Sequence, residues 1–203
     1  MGWYHDRILP RVVDAACGSR GLRPWRNRVC ADLTGRVVEI GFGSGHNVAP
    51  LPDSVDELVA VEPSTVAWRL SQRRRDACGA VVTLAGLDGQ HLDLETGSFD
   101  AALCTFTLCT VPDPVGALAE LRRVLRPQGR LHMLEHGCSP EPRVARWQRR
   151  LDPIEQRLAG GCHLTRDPVA LVDEAGFTTD WVEQAYGPGP KPWMWLTVGV
   201  FHR

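Results

Sequence analysis

The chain has 203 residues, of which 43% are apolar and 23% charged, and a formal net charge of −1. This length suits one domain able to bury about 70% of its unfolded surface, and the composition excludes a disordered chain or a coiled coil. The balanced charge provides no global field for nucleic acid, and no apolar run reaches the roughly 20 residues of a membrane span.

Residues 3–33 are Arg-rich and suit one or two short helices, with breaks at Gly18–Gly21 and Pro24. A regular alternation follows. Arg36–Ile40 and Leu58–Glu62 are β-rich runs, and Pro63-Ser64 then opens a helix expected over Thr65–Cys78 with a solvated basic face. Ala80–Leu84 and Phe99–Phe106 supply the next two strands. Val115, Leu118, Leu121, Val124 and Leu125 mark a helix over Pro114–Leu125, closed by a turn at Arg126–Gly129 before a strand at Arg130–Glu135. A helix over Pro142–Leu158 is expected to break at Pro153, and Asp167–Ala175 forms a short helix closed by Gly176. The tail carries two β-like runs, Phe177–Tyr186 and Trp193–Phe201, joined by a Gly/Pro turn.

Strands alternating with helices predict a doubly wound, mostly parallel α/β sheet of seven strands with one antiparallel C-terminal edge strand. The chain reads as one domain over residues 1–203. It divides into a helical cap (1–33), a core (34–136), a helical insert or lid (137–176) and a strand pair (177–203). Ligands of such sheets bind at the carboxyl ends of the strands, near the switch point. Four loops there carry the chemistry.

Glu39-Ile40-Gly41-Phe42-Gly43-Ser44-Gly45-His46-Asn47 places three alternate glycines after the first strand, which permits a tight turn and close backbone approach to a ligand. The spacing is neither GxGxxG nor a Walker loop. Glu62 ends the second strand, where an acidic side chain can accept both ribose hydroxyls. In Gly86-Leu87-Asp88-Gly89, Asp88 can accept from an exocyclic adenine amine and the Gly89 N–H can donate to the ring; Asp88 also suits an Asx turn. The fourth strand exits through Thr105 and Phe106 above the centre of this site, with Asp100 at its start read as structural.

In this order, these features resemble the class I S-adenosylmethionine-dependent methyltransferases, with a Rossmann-like fold, and within them the ubiquinone and menaquinone methyltransferase group. The matching stretches are Val37–Asn47, Val59–Glu62, Asp88 with Gly97–Asp100, and Leu121–Gly129. Cys104-Thr105, Leu108-Cys109, Leu134-Glu135-His136 and Gly161–Asp167 are also similar to the thiol S-methyltransferases. The membrane-anchoring segment of the animal members is not expected here. The resemblance implies S-adenosyl-L-methionine as cofactor. Gly41, Gly43 and Gly45 would lie near its methionyl part, Glu39 beneath that loop or at the amine, Glu62 at ribose, Asp88 and Gly89 at adenine, and Thr105 and Phe106 beside the sulfonium.

The implied reaction is in-line displacement onto a small-molecule acceptor, a thiol or an apolar compound. His136 and His163 are candidate bases, with Glu135 beside the first. Cys138, Cys162, His132, His136 and His163 match no zinc spacing, so no metal is expected. Arg143, Arg146, Arg149 and Arg150 read as a solvated face. Trp193–Trp195 and the insert are candidate covers for an acceptor pocket. The seven cysteines are scattered, without a CxxC pair, which fits reduced thiols in the cytoplasm. No nucleic-acid partner is expected. The competing readings are a nucleotide-binding oxidoreductase and a non-catalytic S-adenosylmethionine-binding module.

Overall fold

The computed structural model describes residues 3–86 and 88–203, so Leu87 of the Gly86–Gly89 loop lies outside the described residues. Seven strands form one sheet: β1 (Gly35–Ile40), β2 (Val55–Val61), β3 (Val81–Gly86), β4 (Phe99–Thr105), β5 (Leu125–His136), β6 (Thr178–Tyr186) and β7 (Trp195–His202). Their order is β3-β2-β1-β4-β5-β7-β6. The first five run parallel, and β7 is antiparallel to both neighbours. The reversed strand therefore lies one position in from the edge, which β6 forms. Most of β6 is exposed and polar, which suits an edge that must not recruit another strand.

Alternation along the strands divides the apolar side chains between two cores. Val38, Ile40, Val59, Val61, Ala102, Cys104, Leu131 and Met133 share one core with Leu118 and Leu121 of helix α5 (Pro114–Val124). Val37, Leu58, Ala60, Ala101, Leu103 and Leu134 share the other with Val29 and Cys30 of α2 (Arg23–Cys30). Burial on both faces explains why the central strands are almost continuously apolar. The switch point lies between β1 and β4, on either side of which the order runs outward to β3 and to β5.

Three boundaries differ from expectation. The helix after β2 is two pieces, α3 (Thr65–Leu70) and α4 (Gln72–Asp76), divided at Ser71. The fully buried Ser71 hydroxyl donates to the Trp68 carbonyl (2.7 Å), competing with helical continuation. The basic face here is partly packed, since Arg75 lies over the Trp68 ring at 3.7 Å. Secondly, Arg126–Gly129 does not separate helix from strand. Leu125 already pairs with Phe99 and Arg130 with Ala101, so the turn loops out within β5.

Thirdly, α6 (Pro142–Leu158) continues through Pro153. Tertiary anchors flank the proline. Asp152 accepts from the Leu164 N–H (2.6 Å). The fully buried Gln148 accepts from Ser139 N (2.8 Å) and donates to the carbonyls of Gly137 and Pro192 (both 2.9 Å). Helix α7 (Pro168–Glu174) is capped by Asp167, which accepts from Val169 and Ala170 N–H groups. Ahead of the sheet, α1 (Leu9–Cys17) precedes α2, and Pro24 sits in the first turn of α2 rather than breaking it.

Candidate active site

The parallel strands deliver Gly41, Glu62, Thr105 and His136 to the same end of the sheet. Gly41, Gly43 and Gly45 have φ of 67°, 58° and 78°, a region that side chains disfavour. At Gly41 a Cβ would also collide with the Thr107 side chain, whereas at Gly43 the nearest atom would be the Gly41 carbonyl oxygen, 3.8 Å away. Gly43 is thus open to a ligand and Gly41 is packed shut. Glu62 is 7% exposed and accepts from Gly43 N–H (2.6 Å) and Ser64 N–H (2.7 Å). Burial raises its pKa, while these two backbone donors act in the other direction.

Beneath this loop lies a buried polar cluster. Asn47 donates to Glu39 Oε1 (2.7 Å) and Thr105 Oγ1 (2.9 Å). Arg26, only 6% exposed, donates to Asn47 Oδ1 (2.5 Å), Thr105 Oγ1 (3.3 Å) and the Cys17 carbonyl (3.2 Å). Glu39 Oε2 is buried without a hydrogen-bond partner among the described residues. Desolvation pushes the Glu39 carboxyl up to about 8, against the opposing pull of Asn47 and Arg26.

The cap is tied to the loop through Asp14, which accepts from Ser44 Oγ (2.6 Å) and pairs with Arg74 (3.2 Å). Sequence reading missed Arg26, Asn47 and Asp14. Asn47 ended the motif it singled out, while an Arg-rich cap gave no sign of which arginine would be buried.

Asp88 is exposed and accepts from Gln90 N–H (2.9 Å), the Asx turn weighed above. A Cβ on Gly89 would meet Ile40 at an ordinary 3.6 Å. Phe106 has φ 52°, the one positive value outside glycine among the described residues. Such a backbone costs about 1–3 kcal/mol and persists only where its surroundings impose it. Here the Phe106 N–H is held by the Leu134 carbonyl (2.9 Å), and its ring meets both the His136 ring (centroids 6.5 Å apart, 22° tilt) and the Arg26 guanidinium (5.4 Å).

Beyond Phe106, Glu135 is fully buried. It accepts from Thr107 N–H (2.6 Å), Leu108 N–H (3.0 Å) and the Cys104 thiol (3.5 Å), so it orders the β4 exit rather than facing a substrate. Burial raises its pKa against those backbone donors.

Of the five residues considered for metal binding, His136 and Cys162 meet, with Nε2 and Sγ 3.3 Å apart. Cys109, outside that set, completes a buried group whose ligand atoms all lie within 4.8 Å of one another. The neighbouring Cys109 and His136 lower the Cys162 pKa, whereas proximity to Cys162 and burial raise that of Cys109. For His136, burial acts to lower the pKa, but its contacts with Cys162 outweigh it and the net shift is upward.

The remaining members are elsewhere. His132 bonds the Val29 carbonyl (2.8 Å), the Cys138 thiol faces only the Ser139 carbonyl at 3.9 Å, and His163 turns its ring towards Asp152 (3.7 Å). His163 therefore orders its loop, through its N–H to the Cys109 carbonyl (2.8 Å), more than it faces the cleft.

Residues 38–133 match the family model described as a methyltransferase domain. That segment is a methyltransferase domain of this family. Across 169 residues it is 30% identical to thiol S-methyltransferase TMT1B of Rattus norvegicus, covering 80% of this chain and 66% of that one, so it spans slightly less than two thirds of that relative. It is 34% identical over 137 residues to demethylmenaquinone methyltransferase of Renibacterium salmoninarum, covering 64% of this chain and 56% of that one. A solved SAM-dependent methyltransferase of Thermotoga maritima superimposes with a TM-score of 0.67 at 23% identity, covering 97% and 96% of the two chains. A protein described as the [4+2]-cyclase SpnF also gives 0.67, at 17% identity, covering 96% and 80%, so the fold alone does not determine the reaction. In this methyltransferase domain the glycine loop and Glu62 fall within the matched segment, whereas His136 and Cys162 lie beyond it.

Proposed function

We propose that the chain transfers a methyl group from S-adenosyl-L-methionine to a small-molecule thiol. The observation that carries the donor assignment is the closed circuit at the β1–β2 ends, where the buried Glu62 carboxylate bonds the backbone of the open Gly43. The site residues fit this donor. Gly43 has free space above it, and the orphaned Glu39 Oε2 is a buried acceptor suited to an ammonium group. Glu62 would exchange its backbone bonds for ribose hydroxyls, and Asp88 with the Gly89 N–H would meet the purine. Thr105 and Phe106 would border the sulfonium.

When bound, the donor supplies an activated, cationic methyl group. The chain's task is then alignment, which contributes on the order of 7–11 kcal/mol to lowering such barriers. Phe106, held in its strained backbone, stacks on His136 and would border the path between donor and acceptor. His136 serves the acceptor side; His163, turned to Asp152, is given no proton to move.

A thiol acceptor is supported by the thiol S-methyltransferase relatives, which align over most of the chain, and by the nucleophilicity of thiolates near neutral pH. The free cysteines suit a reducing cytoplasm, where we place the protein. Among the described residues no helix is long and apolar enough to cross a membrane. The test is a labelled-methyl assay against alkyl thiols, phenols, quinones and amines. Label entering thiols alone supports the reading; label entering only the other classes replaces the acceptor, and no donor binding by calorimetry removes the function.

A further inference from the structure

We infer that Cys109, His136 and Cys162 bind one zinc ion, and that its fourth position receives the sulfur of the acceptor thiol. The second half rests on the function proposed above; the first rests on the site alone.

Three segments distant in sequence converge here. Cys109 follows the β4 exit, and that exit is fixed by the bonds from Thr107 and Leu108 N–H to Glu135. His136 ends β5. Cys162 follows α6 after Gly160 and Gly161, whose φ of 65° and 90° turn the chain sharply back. That return is clamped when His163 N–H bonds the Cys109 carbonyl at 2.8 Å and Arg166 bonds the Leu108 and Val111 carbonyls. The backbones bearing the two thiols are therefore held against each other.

The donor set is specific. Two sulfurs and an imidazole suit zinc, and a site with three protein ligands and one open position is the catalytic rather than the structural pattern. Ligand atoms around tetrahedral zinc lie roughly 3.3–3.8 Å apart. The observed 3.3 Å pair and the 4.8 Å limit on the group leave only a small contraction. Cys109, His136 and Cys162 are 4%, 7% and 7% exposed, so water does not solvate them. The other imidazole nitrogen, Nδ1, is buried without a hydrogen-bond partner among the described residues. Nε2, the nitrogen that faces the sulfurs, meets only the Cys162 thiol, a weak partner for a buried polar group that an ion would replace while leaving Nδ1 as it is.

Placement ties the ion to chemistry. His136 stacks on Phe106, the residue proposed to border the sulfonium, so the three ligands sit beside the proposed path of the acceptor. A thiol entering the open position would lose its proton to solvent and bind as thiolate. Its sulfur would then attack the donor's methyl carbon as the methyl–sulfonium bond breaks and S-adenosylhomocysteine departs, and the neutral thioether so formed would leave the ion.

The test uses the full chain purified with zinc, and separately with cobalt(II). Metal analysis is expected to find about one zinc per chain, reduced at least about tenfold in Cys109→Ser and in Cys162→Ser but retained in Cys138→Ser. Circular dichroism and donor binding verify that each variant folds. Cobalt is expected to show the ligand-field bands of a tetrahedral thiolate site, which shift when propanethiol is added. Zinc-free protein despite added zinc, a Cys109–Cys162 disulfide in freshly purified protein, or equal zinc in all three variants overturns the site. Bound zinc with an unchanged cobalt spectrum in propanethiol overturns its role towards the acceptor. Thiol methylation that persists undiminished after chelation overturns the same role and leaves the proposed function standing, whereas a loaded zinc site without methylation of any thiol sinks that function and leaves the site.

Discussion

The glycine loop and the cysteine–histidine group lie at the same end of the sheet and are built in opposite ways. The loop comes from one short stretch after β1, joined by Glu62 from the neighbouring strand, and backbone N–H groups meet both oxygens of that carboxylate. The cysteine–histidine group draws one residue from each of three distant segments and leaves an imidazole nitrogen unpaired. Local spacing suffices to build a surface for a ligand gripped largely by backbone. Gathering soft side chains requires loops to return from elsewhere in the fold.

Disrupting the loop side should have the largest effect. Gly41→Ala forces a side chain into a positive-φ site already filled by Thr107. It should cost about 2–4 kcal/mol of stability by denaturant titration; an unchanged midpoint means that the loop is less tightly packed than described.

Glu62→Ala should weaken donor binding at least tenfold, or about 1.5–3 kcal/mol, measured by calorimetry. It also leaves two backbone donors unmet, so Glu62→Gln, which retains one acceptor oxygen, should fall between the two. Equal affinity in all three proteins removes Glu62 from the donor site.

A pH series tests Glu39. Burial keeps this carboxyl protonated to about pH 8, whereas an ammonium partner needs it ionised. Donor binding should then release a proton, and affinity should rise with pH towards about 8 and level off above it. Glu39→Gln should flatten that profile. For folding, the raised pKa gives a contribution complete below the ordinary value of 4.5 and lost as pH rises through about 8.

The smallest effect should come from His163→Ala. Its ring faces Asp152 and its clamp to Cys109 uses the backbone, so turnover should change less than about threefold, within the range of a loop substitution. A pH profile that loses a limb in this variant would restore His163 as a base.

Much of this architecture was legible because its signals are local. Short β-rich apolar runs placed all seven strands, and glycines at alternate positions followed by an acid one strand later marked the loop proposed to meet the donor. What escaped was set by side-chain partners that spacing does not reveal, near or far in the sequence. Ser71 ended a helix because its hydroxyl found the Trp68 carbonyl, and Pro153 failed to end one because Asp152 and Gln148 anchor the helix around it. Arg26 became a buried member of the site only because α2 packs under Asn47 and Thr105.

By itself, then, the sequence determined the period of each element and the glycines that permit a tight turn, since both depend on neighbouring residues and intrinsic backbone sterics. The tertiary structure decided which buried polar atoms found partners and which three of the scattered cysteines and histidines met. Those outcomes depend on how strands β4 and β5 and the return after α6 pack together, and spacing along the chain carries no record of distances across it.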